Sequence, residues 1–177
     1  MSFKRLRALF LALAFLSAVA ADAFQGGRFD FKLRSADGGE ITSEMVKGDV
    51  VVLGFGSTSL GSLSKSQVQG LQELADQFGE RDVRVYWVTT DSDKPQSKSY
   101  ATDDQLRAFA RKNGLKTAVL RDPEGAFLKR TGADQIPAVV ILDRSGAVSV
   151  PVVGGHDPKH KLVESLSGRL NQLLSAQ

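Results

Sequence analysis

The segment Val50-Val51-Val52-Leu53-Gly54-Phe55 constrains this chain more than any other. A strand with one wet face alternates apolar and polar residues, whereas an unbroken apolar run marks a strand covered on both faces, so helices must lie on each side of the sheet that holds it. The residues after it agree. Small residues fill Gly56 to Gly61, then Val68, Leu71, Leu74, Ala75 and Phe78 recur at helical spacing until Gly79. Ser64 and Gln67 stand three apart ahead of that stripe, a capping-box pattern that predicts the helix start at Ser64. The unit is a strand, a tight loop and a helix.

The rest of the chain repeats the alternation. Phe29, Phe31 and Leu33 alternate with polar residues as an edge strand does, and Ala36-Asp37-Gly38-Gly39 turns the chain. Val83 to Val88 is a strand, and Thr102 with Gln105 caps a helix whose Leu106, Phe109 and Ala110 face inward until Gly114. Between them Asp91 to Tyr100 reads as a long solvated loop, while Trp87 reads as core. Thr117 to Leu120 is a short strand, Asp122 to Gly125 a turn, and Ala126 to Arg130 a turn or two of helix. Ile136 to Leu142 makes a strand beginning at Pro137, Arg144-Ser145-Gly146 turns it, and Ala147 to Val153 pairs back as a hairpin. Asp157 caps a last helix with Pro158 in its first turn and Leu162, Leu166, Leu170 and Leu174 along one stripe. The alternation implies an α/β domain, its central sheet covered on both faces.

At 177 residues, 42% hydrophobic and 24% charged, the chain has the size and mix of one domain. It contains no cysteine, which excludes disulfide scaffolds, thiolate metal sites, iron–sulfur clusters and thiol catalysis. Residues 1–23 read as a secretory signal: Lys4, Arg5 and Arg7, an apolar run from Ala8 to Ala21, and Ala21-Asp22-Ala23 as a small-x-small cleavage site, with cleavage after Ala20 an alternative. Residues 24–177 then form the single mature domain, periplasmic in a Gram-negative host, and membrane association is expected only through an uncleaved signal segment. Removing Lys4, Arg5, Arg7 and Asp22 from the 23 basic and 20 acidic residues leaves a nearly neutral protein, so its charge points to no nucleic-acid partner.

Two local phrases carry a family likeness. Gly48-Asp49-Val50-Val51-Val52-Leu53-Gly54-Phe55 is similar to the lead-in before the active loop of the thioredoxin-like superfamily, in particular its secreted TlpA type, and Ile136 through Gly146 resembles that family's strand starting at a cis-proline. The resemblance spans residues 28–175 and implies a thioredoxin-like fold, a central mixed β-sheet flanked by helices. The chain departs from the family where its chemistry lies. The Trp-Cys-x-x-Cys of active relatives falls on Ser59-Leu60-Gly61-Ser62-Leu63, so both cysteine positions hold leucine. Exchange needs a thiolate that attacks and a thiolate that leaves, and a hydrocarbon side chain does neither. A peroxidase of the superfamily fails on the same ground. What the resemblance leaves is a platform on which active relatives hold a substrate peptide by backbone hydrogen bonds beside the cis-proline, which needs no sulfur.

Phe55-Gly56-Ser57-Thr58 and Thr89 through Pro95 are also similar to segments of Sco-type metallochaperones, which bind copper through two cysteines and a histidine. Cuprous copper prefers soft ligands, and no thiolate is present. His156 and His160 stand four apart, but Pro158 between them marks a helix entrance, and solvated residues explain them better than a metal site. Gly56 to Gly61 ahead of a helix lacks the lysine of a phosphate loop: Ser62 and Leu63 stand where Lys and Ser/Thr belong. No cofactor is expected. The expected function is an exported, redox-inactive binding or assembly module that holds a protein or peptide partner at Ser59, Leu60, Gly61, Ser62, Leu63, Ile136 and Pro137. The alternative is an accessory subunit of a redox or metal-handling system whose partner supplies the thiol.

Overall fold

A computed structural model describes residues 28–149 and 161–176, and residues 153–154 by their backbone. The signal segment, His156, His160 and the cap expected at Asp157 lie outside the described residues. The elements run β1 (Lys32–Ser35), β2 (Glu40–Thr42), β3 (Val50–Gly56), α1 (Ser62–Phe78), β4 (Val83–Thr89), α2 (Asp103–Lys112), β5 (Val119–Arg121), α3 (Ala126–Arg130), β6 (Ala138–Leu142), β7 (Val153–Gly154) and α4 (Leu162–Ser175). Seven strands form one mixed sheet in the order β2-β1-β5-β4-β3-β6-β7. The inner strands β3, β4 and β5 are parallel, and β6 lies antiparallel to β3.

The apolar run behaves as its composition requires, for every residue of β3 is buried. Val50 and Val52 pack with α1 and α4 through Leu71, Leu74, Leu166 and Leu170, while Val51, Leu53 and Phe55 face Phe31, Phe127 and Leu128 on the opposite side. Gly54 belongs to the helical side, where a Cβ would come within 2.4 Å of the Leu71 side chain, so its lack of one lets α1 settle onto the sheet. Trp87 is fully buried and stacks on Phe109, ring centroids 5.3 Å apart.

Two boundary expectations are corrected. The strand around Phe31 is not at the edge: β1 is flanked by β2 and β5, and the edge is β2, whose three residues are too few for alternation to reveal them. The helix expected from Ser64 begins at Ser62, its N-cap is Gly61, and no side chain caps it. Ser64 and Gln67 are buried and turned inward, so their polar atoms serve the loop and sheet rather than a capping box. The capping box expected at Thr102 and Gln105 is present, with bonds of 3.2 and 2.8 Å.

Because β3, β4 and β5 are parallel, the loops after them leave the same edge of the sheet, which is where open α/β sheets place their ligands. Antiparallel β6 enters at that edge too. Phe55 pairs with Ala138, so the loop after β3 and the Ile136–Pro137 peptide that precedes β6 emerge side by side.

Candidate partner-binding site

From Gly56 the chain turns through a short 3-10 turn, Thr58–Leu60, and reaches α1 at Gly61. Gly61 has φ +56° and ψ −114°, a region closed to residues with a Cβ, and a Cβ there would touch nothing within 4 Å. Its requirement for glycine is therefore conformational. Ser57 caps the 3-10 turn, its Oγ accepting from the Ser59 N–H at 3.2 Å, and the Ser57 and Ser59 hydroxyls are 2.7 Å apart.

A buried carboxylate holds this loop. Asp91 is 1% exposed, and its Oδ1 accepts from Ser57 Oγ at 2.6 Å and Thr58 Oγ1 at 3.2 Å. Its Oδ2 accepts from the Thr58 N–H at 2.8 Å and Thr89 Oγ1 at 2.5 Å. A carboxylate offers about four lone-pair positions, and all are used, so Asp91 has no acceptor left for a reacting proton. It braces the loop and is no general base. This corrects the reading of Asp91 to Tyr100 as simply solvated. Asp91 and Ser92 are buried, and the segment closes on itself through Ser92 N–H to Ser99 O at 2.9 Å and Ala101 N–H to Ser92 O at 3.1 Å.

Gln67 ties the loop's base to the cis-proline strand. Its amide donates to Phe55 O at 3.1 Å and Ala138 O at 3.0 Å, and its Oε1 accepts from Trp87 Nε1 at 3.2 Å. Ser64 Oγ donates to Ser57 O at 2.6 Å. The Ser57 and Ser64 hydroxyls thus serve the loop rather than the helix end. Sequence alone gives no sign of these partners, which lie 7 to 71 residues away along the chain.

The residues singled out in sequence fall into two halves that the sheet brings to one edge. Ser59, Gly61 and Ser62 are exposed, Leu60 is half-buried, and Leu63 is 36% exposed. Neither leucine belongs to the buried clusters. Across from them the Ile136–Pro137 peptide is cis, Pro137 is buried and Ile136 half-buried. Among the described residues, no hydrogen bond reaches the Ile136 N–H or C=O, and the β3–β6 ladder ends one pair short of the proline. The helix N-terminus at Ser62 and Leu63 has no side-chain cap, and no acid stands in its first turn.

A second polar cluster supports the 91–101 segment. Arg121, its side chain 3% exposed, donates to Asp91 O at 3.2 Å and pairs with Asp103 at 2.8 Å, while Asp103 is also held by Arg34 at 2.5 Å. The hydrogen bond from Arg34, followed by that from Arg121, holds the Asp103 carboxyl below the ordinary carboxylate range. A carboxyl whose pKa falls on folding contributes stability above its unfolded value and loses it as pH drops through the folded one. Asp103→Asn is therefore expected to lower the melting temperature at pH 7, and the gap to wild type should narrow below about pH 4. Thermal melts from pH 3 to 7 check this. An equal gap across that range would detach the carboxylate from the effect.

Among the described residues, no group of three or more His, Asp or Glu side chains is placed to hold a metal ion. No helix among them is long and apolar enough to cross a membrane.

Comparison with solved structures places this architecture in the thioredoxin-like fold. A secreted disulfide oxidoreductase of Mycobacterium tuberculosis matches at TM-score 0.59 and 19% identity, over 80% of this chain and 95% of its own. A thiol:disulfide interchange protein of the thioredoxin family from Chlorobium tepidum matches at TM-score 0.67 and 16% identity, over 88% and 100%. The exposed lipoprotein thioredoxin of Streptococcus pneumoniae matches at TM-score 0.61 and 25% identity, over 79% and 99%. Comparison with curated protein sequences finds no match. The AhpC/TSA family model matches residues 27–150, a span that holds the β3 loop, Asp91, Arg121 and the cis-proline strand alike, and the chain therefore belongs to the AhpC/TSA family.

Proposed function

We propose that this chain is an exported, redox-inactive thioredoxin-like module that holds a protein or peptide partner on the surface made by Ser59, Leu60, Gly61, Ser62, Leu63, Ile136 and Pro137. One observation carries the reading. The loop bearing Leu60 is braced from beneath by a saturated carboxylate, yet the apolar side chains at the two former thiol positions stay outside the core, Leu63 at 36% exposure. A loop held this firmly with its leucines left out is a surface prepared for contact, since apolar side chains gain by being covered. Opposite it, the Ile136 backbone has no hydrogen-bond partner among the described residues, which is the position an added strand uses.

Export is supported by the signal-like segment at residues 1–23 and by solved structures of similar fold, which include a secreted oxidoreductase and an exposed lipoprotein. Redox inactivity rests on the chemistry of the chain itself, which carries sulfur only in its two methionines.

Photo-crosslinking from position 60 in intact cells is the test. It should capture a discrete partner, and Leu63→Asp should reduce that capture about tenfold, the effect of about 1.4 kcal/mol, with melting within about 2 °C of wild type, as for a surface change. A large loss of stability in Leu60→Asp or Leu63→Asp would show that the leucines pack the loop instead. Turnover of insulin disulfides or peroxide by the purified chain would end the redox-inactive reading.

A further inference from the structure

Arg121 ends β5 as the ladder partner of Thr89, which sets it beside the start of the 91–101 segment. Its side chain is 3% exposed, and its pairing with Asp103 gives little reason to keep a charge there. A buried ion pair is a weak source of stability, and apolar residues of equal volume often serve a fold as well. Asp103 moreover holds a second cation, Arg34, at 2.5 Å, so it does not depend on Arg121 for a partner. What Arg121 does alone is reach the Asp91 carbonyl, at 3.2 Å, and among the described residues no other donor reaches that oxygen.

That contact completes a clamp on one residue. Asp91 N–H donates to Thr89 Oγ1 at 3.1 Å and Asp91 C=O accepts from Arg121, so the main chain is held on both sides of its Cα. With both peptide groups fixed, the Cα–Cβ direction is fixed too. The carboxylate can then meet the Thr58 N–H and the Ser57, Thr58 and Thr89 hydroxyls together. A planar fork with one arm on Asp103 and the other on a carbonyl suits this task, whereas the ammonium of a lysine is a single point. We propose that Arg121 is a positioning residue of the candidate surface: it sets the main chain of Asp91, and through the Asp91 carboxylate it sets the loop that carries Leu60. The inference rests on the binding-module reading for what the loop serves, and adds the residue that governs the loop's shape.

Amide hydrogen exchange of the full-length protein, read by NMR, tests this without a partner. Thr58 N–H is the reporter, since it ends on Asp91 Oδ2 at 2.8 Å. Relative to Val52 and Val140 in the sheet, Arg121→Met should speed Thr58 exchange about tenfold or more, the loss of one hydrogen bond from a charged donor. Arg121→Lys keeps the charge and the pair with Asp103 but loses the second arm. It should speed Thr58 to a similar extent, and it carries the test if the Met variant folds poorly. Arg34→Met leaves Asp103 to Arg121 and should keep Thr58 within about twofold of wild type, as for loss of an exposed ion pair. A Thr58 rate unchanged in the Arg121 variants, raised only as much as those of Val52 and Val140, or raised equally by Arg34→Met would overturn the positioning role. Exchange that behaves as expected, with no partner captured from position 60, would remove the binding-module reading and leave the role of Arg121 in place.

Discussion

Asp91→Ala is expected to cost about 3 kcal/mol or more, a fall in melting temperature on the order of 10 °C for a domain of this size, because several donors lose their acceptor at once. The Ser57, Thr58 and Thr89 hydroxyls and the Thr58 N–H all end on this carboxylate. Water cannot replace it easily, since Asp91, Ser57 and Thr89 are buried. Asp91→Asn should cost about half as much. Its amide can keep the oxygen toward the fixed Thr58 N–H and leave its NH2 toward the Ser57 and Thr58 hydroxyls, which can rotate to accept. The same variants should lower partner capture from position 60, although Asp91 touches no surface residue beyond the loop it holds. Calorimetry decides the matter: an Ala variant that melts with the wild type would mean the loop is held by something else.

Gly56→Ala should be nearly as damaging, by about 2–3 kcal/mol, through overpacking. A Cβ at this position would stand 2.6 Å from Gln67 Oε1, 2.8 Å from Trp87 Nε1 and 3.2 Å from Ser64 Oγ. None of these can withdraw cheaply. Gln67 is pinned by two carbonyls, and Trp87 is fully buried against Phe109. The added methyl therefore breaks the Trp87–Gln67 bond or displaces α1 from the sheet. Trp87 is the single tryptophan of the chain, so its emission reports on this site directly. A variant with unchanged emission and melting would show that the helix can shift to make room at no cost.

Both variants act on polar groups that no pattern in the chain announces. Ser64 and Gln67 have the spacing of a capping box, and the pattern misleads because it registers residue type and interval but not direction. In the folded chain they point into the sheet, where Phe55 O, Ala138 O, Ser57 O and the indole of Trp87 need partners more than the helix end does. Asp91 sits in a run of polar residues that reads as solvated, and only the parallel pairing of β3 with β4 carries it beneath the loop after β3. Arg121 and Asp103 meet in the same way, 18 residues apart, because β5 ends beside the start of α2.

Local pattern was enough to determine the buried strand, the helix stripe of α1, the capped α2, the strand entering at Pro137 and the loss of thiol chemistry. Periodicity reflects which face of an element meets the core, and the absence of sulfur needs no fold to be decisive. The tertiary structure decided which polar side chains are buried and which leucines stay outside. Those depend on contacts between segments distant in sequence, whose energies come from hydrogen bonds satisfied or left open only once the sheet has closed.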